Sequence, residues 1–349
     1  MCLLWLSGML FALLLAGSPS RAEASRQQPH TGGTFTFYHE NDFYTGNDSD
    51  YTNGIRLSWF SPDLSGYEED QRLPWWGRKI VAALPFHQGD GYLKTVSFSL
   101  GQNIYTPEDI TDPFRDAQDR PYAGITYLGM GLHSRNTRIM NTWELYLGIV
   151  GPHSYAENVQ KAVHRWTHSD YPLGWEDQIK DEPFVNLYYE RKWRFFRRPV
   201  LESLEGDLIS HAGCAVGNAL TAANAGGQVR IGPTLPNDFG TFSIRPGADS
   251  SAPVDGSDPR LHEDPHLGVH LFFALDVACV LANVTLDGNT FRPSRHVDKY
   301  PLVMSSATGI GVVMRRMKIT YSYVVTTKEY RAQDRQHSYG SLTVSYTFE

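Results

Sequence analysis

Many segments of the chain alternate between apolar residues and small or polar residues. In residues 142–150 (TWELYLGIV), a Trp, two Leu and an Ile occupy every second position. Residues 318–325 (KITYSYVV) and 338–348 (SYGSLTVSYTF) follow the same period. Because successive side chains of a β-strand point to opposite faces, this period predicts strands with one apolar face.

Followed along the whole sequence, the pattern predicts about 12 strands. They lie near 34–42, 51–60, 93–103, 123–134, 142–150, 182–194, 204–217, 222–232, 267–285, 302–314, 317–328 and 338–348. A soluble β-sandwich would also alternate, but aromatic residues near the strand ends favour a membrane barrel. The last strand carries an aromatic Phe348 before the final Glu349. We therefore predict an all-β fold, a transmembrane antiparallel β-barrel of about 12 strands in the bacterial outer membrane.

The N-terminus has the form of an export signal. Residues 3–16 are almost wholly apolar, but they are too few to span a membrane comfortably. The sequence Ala22-Glu23-Ala24 then has the small-x-small form of a cleavage site, although no Lys or Arg precedes the apolar run. We predict a signal peptide of residues 1–24, with cleavage after Ala22 as the alternative, and a single β-barrel domain of residues 25–349.

The strand order assigns each connection to one side of the membrane. If both termini are periplasmic, the connections 43–50, 104–122, 151–181, 218–221, 286–301 and 329–337 face outward. Two long connections, 61–92 and 233–266, then fall on the periplasmic side, where barrel turns are normally short. Within the second, the run GADSSAPVDGSDP at 247–259 predicts a solvated loop.

The composition of the chain limits the kinds of partner and metal site that we expect. The net charge is −7 and the charges are interspersed, with no basic stripe, so we expect no nucleic acid partner. Once the signal is removed, Cys214 and Cys279 remain, which are too few for a disulfide framework. They could pair, but both lie in strand-like segments and we favour two buried thiols. No C-x-x-C occurs, so a cysteine-based zinc site is not expected.

Polar residues from separate segments are predicted to meet at the outer rim. Asn41 and Asp42 end the first strand, and Thr52 lies at the start of the second. The segment AENVQKAVHRW (156–166) has helical periodicity, and in it Gln160 and His164 are four residues apart and share a face. Taken singly, each of these residues could have an ordinary structural role, as a turn residue, a helix surface residue or a structural histidine. Their convergence at one rim predicts a functional site.

Several motifs resemble those of one family, the outer-membrane lipid A 3′-O-deacylases (LpxR-like). They are END and DYTNGIRLSW in the first hairpin, DRPYAG, GPHSYAENVQKAVHRW, YPLGWEDQIKDEP and the closing YGSLTVSYTF. The resemblance spans nearly the whole mature chain, in order. It implies a 12-stranded barrel and a calcium-dependent esterase that removes acyl chains from lipid A at the outer-leaflet side of the wall.

The resemblance also implies which residues perform the reaction. The positions that match the catalytic residues of the family are His164, Gln160, Asn41 and Thr52, with Asp170 as the nearest carboxylate beyond the histidine. Asp42 matches the acidic residue that would bind Ca²⁺. A basic stretch expected after Thr106 for lipid contact is not matched, because Glu108, Asp109 and Asp112 occupy it.

The chemistry of these residue types agrees with ester hydrolysis. An imidazole such as that of His164 can take a proton from water, and a carboxylate such as that of Asp170 could orient it. Calcium prefers oxygen ligands such as the carboxylate of Asp42, and it would polarise the ester carbonyl.

We expect a monomer embedded in the membrane that acts on lipid A, lipopolysaccharide or another outer-leaflet lipid.

Two other functions stay open at the level of the sequence. An outer-membrane phospholipase A would share the barrel and the calcium, but would use a serine nucleophile; the chain has no G-x-S-x-G motif. A catalytically silent barrel with a structural or binding role is the second alternative. The presence of His164, Gln160, Asn41, Asp42 and Thr52 together argues against it.

Overall fold

The computed structural model describes most of the chain beyond the predicted signal peptide. The described residues are 32–45, 50–64, 66–67, 70–71, 74–83, 85, 91–112, 118–245, 247–262 and 267–348. The predicted signal peptide, residues 1–24, lies outside them, and its cleavage stays a prediction. In these described ranges, no helix has the length and apolar character needed to cross a membrane.

Twelve antiparallel strands of the described chain close into one barrel. They are β1 (Thr34–Asn41), β2 (Asp50–Phe60), β3 (Leu93–Thr106), β4 (Ala123–Arg135), β5 (Ile139–Val150), β6 (Glu182–Leu201), β7 (Leu204–Gly217), β8 (Leu220–Gly232), β9 (Leu267–Asn283), β10 (Leu302–Met314), β11 (Met317–Thr326) and β12 (His337–Thr347). Each strand pairs with its neighbours in sequence, and β1 closes the barrel on β12 from Thr34 opposite Thr347 to Asn41 opposite Gly340. The predicted all-β barrel of 12 strands is confirmed.

Short helices lie in the connections. The α-helices are α1 (Trp75–Ala83), α2 (Ala156–Thr167) and α3 (Val284–Asp287), and 3₁₀ turns occupy Asp42–Thr45, Pro152–Ser154, Trp175–Asp177 and Pro259–Leu261. The turn Asp42–Thr45 and helix α2 both lie at the end of the barrel opposite the strand termini Thr34 and Thr347.

The period of two in the sequence separates the two faces of the wall. Along β2, Leu57 and Trp59 are exposed while Arg56 and Ser58 are buried in the lumen. The exposed apolar residues of the wall include Phe35, Leu57, Trp59, Phe98, Leu100, Leu128, Leu147, Val185, Leu187, Val229, Leu271, Phe273, Ile310, Tyr321 and Tyr323. An apolar outer band around a polar interior is the arrangement that a bilayer requires of a barrel.

The long connection between β8 and β9 enters the lumen, so the prediction of a solvated loop at 247–259 is wrong. Asp238 in this connection is fully buried and contacts Arg230 of β8 at 2.6 Å and Lys318 of β11 at 2.5 Å. Arg260 from the same connection contacts Asp238 at 3.1 Å. The Asp-, Ser- and Gly-rich composition suits a charged lumen as well as it suits water, because both environments supply polar partners.

The other long connection lies against the outside of the wall at the same end. Leu64, Tyr67 and Val81 pack on Val96 of β3 and Leu132 of β4. The indole nitrogen of Trp143 on β5 donates a hydrogen bond to the carbonyl of Pro85 at 2.9 Å. The two long connections that the sequence assigns to the periplasmic side are therefore both folded onto the barrel, one inside it and one outside.

The two cysteines of the barrel do not pair with each other. Cys214 on β7 is half-buried and its thiol is free. Cys279 on β9 is buried but is not a free thiol, so the expectation of two buried thiols is wrong. The strand β8 separates them, with Ala223 opposite both residues in the two registers.

Removal of Asp238 should destabilise the barrel strongly. In Asp238→Ala, the cations of Arg230, Lys318 and Arg260 would stay buried without this shared carboxylate, which typically costs about 3–5 kcal/mol. Urea unfolding of the refolded protein in lipid vesicles measures the loss. The control is Asp287→Ala, which removes a partly exposed pair with Lys299 and should cost about 0–1 kcal/mol. Equal stability of the two variants would show that the lumen network contributes little.

Candidate active site on the outer face of the barrel wall

Helix α2 begins after a tight turn and ends in a left-handed residue. It spans Ala156–Thr167, and an ion pair of 2.7 Å between Glu157 and Lys161 supports its first turns. The hydrogen bond to Glu157 raises the pKa of Lys161. At the other end, His168 has a φ of 58°, and its N–H donates to the carbonyl of His164. The helix predicted in the 151–181 connection is therefore present.

Helix α2 docks closely on strands β3 and β4. Gly124 of β4 allows this approach, because a Cβ there would clash with Ala156 and Ser154. Ala156 also packs in a buried cluster with Ile104 of β3 and Trp175. The start of the helix is thus held at a fixed height on the wall.

Hydrogen bonds show that α2 lies on the outer face of the wall. The carbonyl of Ser154 accepts from Gln102 Nε2 at 2.8 Å and from Thr126 Oγ1 at 2.7 Å. Thr126 shares its face of β4 with Leu128, whose side chain is 63% exposed. Gln102 likewise shares its face of β3 with the exposed Leu100. The space between α2 and the wall therefore opens to the membrane side and not to the lumen.

The side chain of His164, on α2, is buried, and a hydrogen bond fixes one nitrogen of its ring. Its Nδ1 lies 2.6 Å from the main-chain carbonyl oxygen of Asp170. A carbonyl oxygen can only accept, so Nδ1 carries the proton and Nε2 of the neutral ring bears the lone pair. The sequence hypothesis gave this orienting role to the carboxylate of Asp170, but that side chain is exposed and the main chain makes the contact.

Gln160 lies one helical turn before His164 and is 3% exposed. Its Oε1 accepts a hydrogen bond of 2.7 Å from the indole nitrogen of Trp175. Because an indole N–H can only donate, this contact fixes which end of the amide is oxygen. Within the described part of the chain, Nε2 of Gln160 is buried and has no hydrogen-bond partner. The amide therefore offers two oriented N–H donors to a bound group.

The turn after β1 is tied to both neighbouring strands. Asn41 is opposite Asn53 of β2, and its Nδ2 donates to Asn53 Oδ1 at 3.3 Å. Its Oδ1 accepts from the backbone N–H of Phe43 at 2.8 Å, which closes the turn around Asp42.

Asp42 is the most deeply buried residue of this turn, with 1% of its surface exposed. Thr45 Oγ1 donates to the Asp42 carbonyl at 2.7 Å and to the Ser338 carbonyl of β12 at 2.9 Å. The turn is thus held over the end of β12, and the carboxylate of Asp42 is kept away from bulk water.

Thr52 connects the hairpin to the strand under α2. A bulge between Tyr51 and Asn53 lets Thr52 reach β3, where its hydroxyl contacts that of Thr106 at 2.7 Å. Ile104, two residues before Thr106, packs against α2. The structure therefore brings all the candidate residues to one end of the four neighbouring strands β1–β4.

The residues around Asp42 fit calcium in their donor type. No group of three or more His, Cys, Asp or Glu side chains gathers as a metal site in the residues that the structure describes. A metal at Asp42 would therefore rely on amide, hydroxyl and backbone oxygens, which Ca²⁺ accepts and Zn²⁺ disfavours. A carboxylate buried as deeply as that of Asp42 also needs compensation by a cation or by hydrogen bonds.

Sequence reasoning did not identify two residues of the site. Trp175 orients Gln160, and Thr106 pairs with Thr52. Trp175 lies within the YPLGWEDQIKDEP motif, which was an available signal, whereas the Thr52–Thr106 pair depends on the strand register. The acidic residues after Thr106 line a separate cavity of about 260 Å³ at the same end of the barrel. Its acidic lining comprises Glu108, Asp109, Asp112, Asp119 and Asp334.

Comparison with known proteins gives a family match over nearly the whole chain. The family model described as "Outer membrane protein LpxR" matches residues 9–348. Among solved structures, LpxR from Salmonella typhimurium is similar at 18% identity, with a TM-score of 0.67, over 90% of this chain and 100% of that chain. The β domain of the Bordetella autotransporter BrkA covers 91% of this chain and 98% of its own at 10% identity, with a TM-score of 0.40. No curated protein sequence matches significantly.

Proposed function

The chain belongs to the LpxR family of outer membrane proteins, and on that premise we propose that it is a lipid esterase. It removes ester-linked acyl chains from lipid A, or from a lipid of similar form in the outer leaflet. The observation that carries this proposal is the arrangement on α2, where a buried histidine of fixed tautomer lies one turn from a buried amide with unpaired donors.

His164 acts as the general base. With Nδ1–H held by the carbonyl of Asp170, Nε2 takes a proton from a water molecule. The resulting hydroxide oxygen bonds to the ester carbonyl carbon, and the bond to the alcohol oxygen of the lipid then breaks. The imidazolium returns its proton to that alcohol, so the fatty acid and the lipid alcohol leave and the histidine is neutral again.

Gln160 stabilises the charge that develops on the ester oxygen. Its Nε2–H donors are already oriented by the bond between Oε1 and Trp175, so little reorganisation is needed during the reaction. Thr52 and Asn41 lie on the neighbouring strands and supply further polar groups at the edge of the site.

Calcium is the proposed cofactor, and Asp42 would be its carboxylate ligand, together with oxygens of neighbouring residues. When bound, the ion supplies positive charge that polarises the ester carbonyl. The residues of the hairpin hold Asp42 in place for this role, through the bonds of Asn41 to Phe43 and of Thr45 to Ser338.

The position of the site agrees with a membrane lipid as substrate. The lumen contains the β8–β9 connection, whose residues Asp238 and Arg260 are fully buried. The space under α2 lies instead on the outer face of β3 and β4. A lipid therefore reaches His164 laterally from the bilayer, without passing through the barrel.

Mass spectrometry of lipid A tests the proposed function. Outer membranes that contain the protein should lose the mass of an ester-linked acyl chain from lipid A, and a Gln160→Leu variant should slow this loss by about 10²–10³-fold. Asn158→Ala on the exposed side of the same helix is the control and should leave the rate unchanged. Unmodified lipid A, with fatty acid released from phospholipids through a serine-linked acyl-enzyme, would favour a phospholipase instead.

A further inference from the structure

One flank of α2, next to the buried edge, carries exposed apolar residues. Ala156, Gln160 and His164 form the buried edge of the helix. Val163 is 44% exposed and Trp166 is 83% exposed, so much of the surface of both side chains is left out of the packing on the wall. The helical period thus buries the edge of Ala156, Gln160 and His164, while the apolar flank packs through Val159 and leaves Val163 and Trp166 exposed.

The segment that follows α2 also carries exposed apolar side chains. Tyr171 and Leu173, in the segment that follows α2, are also exposed. A tryptophan this exposed is unfavourable in water, but tryptophan is enriched where a membrane protein meets the boundary between headgroups and hydrocarbon. Contiguous exposed apolar residues of this kind indicate a contact surface.

The start of α2 rests on the same face of the wall that carries the exposed apolar band. Gly124, on which α2 rests, lies four residues from the exposed Leu128 on the same face of β4. At about 3.3 Å per strand residue, the start of α2 at Gly124 is therefore about 13 Å along β4 from Leu128, a side chain that faces hydrocarbon. Phe98 and Leu100 of β3 extend the same exposed band beside it.

Basic residues border the apolar flank of α2. Lys161 lies over the ring of Tyr171 at 5.4 Å, and Arg165 is exposed one turn further along the helix. A helix with an apolar face bordered by cations is typical of a segment at a membrane surface that contains anionic headgroups.

We propose that Val163 and Trp166 form the surface of α2 that seats the acyl chains of an outer-leaflet lipid beside His164. Trp166 lies at the boundary between the chains and the headgroups, and it contributes to the selection of long-chain lipids as substrates. The contact itself requires only a membrane lipid; its role in selecting the substrate rests on the proposed esterase function.

Kinetics separate this role from catalysis. Trp166→Ala should raise KM for a long-chain lipid ester in vesicles by about ten- to a hundredfold, the effect of one large apolar contact, and should leave kcat nearly unchanged. Its activity on a short-chain, water-soluble ester should equal that of the parent. Phe291→Ala is the control, because Phe291 is 76% exposed in the connection before β10 and lies outside this surface. Equal KM values for parent and Trp166→Ala would overturn the role in substrate selection.

Fluorescence tests the contact without any activity. In vesicles of phospholipids with brominated chains, the parent should be quenched more than Trp166→Phe, and the difference between the two proteins reports Trp166 alone. Quenching of that difference signal by aqueous acrylamide but not by brominated chains would overturn the proposal. A parent that hydrolyses no lipid would refute the esterase function, and the bromolipid result would still decide whether Trp166 contacts the membrane.

Discussion

His164→Ala is expected to lower the rate of lipid ester hydrolysis by about 10²–10⁴-fold, the usual cost of losing a positioned general base. The main-chain carbonyl of Asp170 holds Nδ1 of this ring at 2.6 Å, which leaves Nε2 to take the proton. The barrel should still fold, because β1–β12 pair through their backbones and α2 lies outside that sheet. The measurement is kcat on purified lipid A, with the shift between boiled and unboiled protein on gels as the check on folding.

Two controls separate the proposed base from its neighbours. Asp170→Asn should keep most of the activity, because the orienting group is the main-chain carbonyl and the exposed side chain is not needed. His168→Ala should also keep it, since that ring is exposed beyond the end of the helix. A large loss in Asp170→Asn would return the orienting role to the carboxylate, and normal turnover in a folded His164→Ala would exclude His164 as the base.

Removal of calcium is expected to abolish hydrolysis, and added calcium should restore it. Magnesium should substitute poorly, because it demands a tight octahedral site and gives up its water reluctantly. Asp42→Asn keeps the shape of the side chain but removes its charge. It should therefore raise the calcium concentration needed for half-maximal rate without unfolding the barrel. The measurement is a calcium titration of the rate for parent and variant.

The control for Asp42 must be a carboxylate outside the site. Asp50 is unsuitable although it is close in sequence, because it is buried between Arg120 and His337 at 3.8 Å from each. Asp181 pairs with the exposed His153, so Asp181→Asn should leave the calcium dependence unchanged. Activity that survives chelation, or a normal rate of Asp42→Asn at low calcium, would show that the hairpin is only a turn.

The strands could be predicted from the sequence because their signal is local. The period of two follows from the backbone of each strand and from the contrast between lipid and lumen. A strand can therefore be recognised without knowing which strand pairs with it. The predicted bounds differ from the observed ones mainly at strand ends: β6 continues to Leu201, beyond the predicted end at 194. There the strand extends past its neighbour β5, and only the pairing with β7 maintains it.

The candidate site was accessible to sequence reasoning in its residue types but not in its contacts. Gln160 and His164 could be placed on one helix face from their spacing, and family motifs pointed to Asn41, Asp42 and Thr52. The sequence does not reveal that the Asp170 main chain orients the imidazole, because every residue carries a carbonyl. The sequence also does not reveal the hydrogen bond from Trp175 to Gln160, because these residues lie in two segments that are separated by a turn.

The fold class, the strand number and the helix in the 151–181 connection follow from the sequence alone, since each depends on a short-range period. The position of the polar connection 233–262 is known only from the folded barrel, because its Asp and Ser residues find partners equally well in water and among Arg230 and Lys318 in the lumen. The same holds for the buried edge of α2. Gly124 lets Ala156 come close to β4 and Trp175 donates to Gln160, so the edge of Ala156, Gln160 and His164 is buried while Val163 and Trp166 stay exposed.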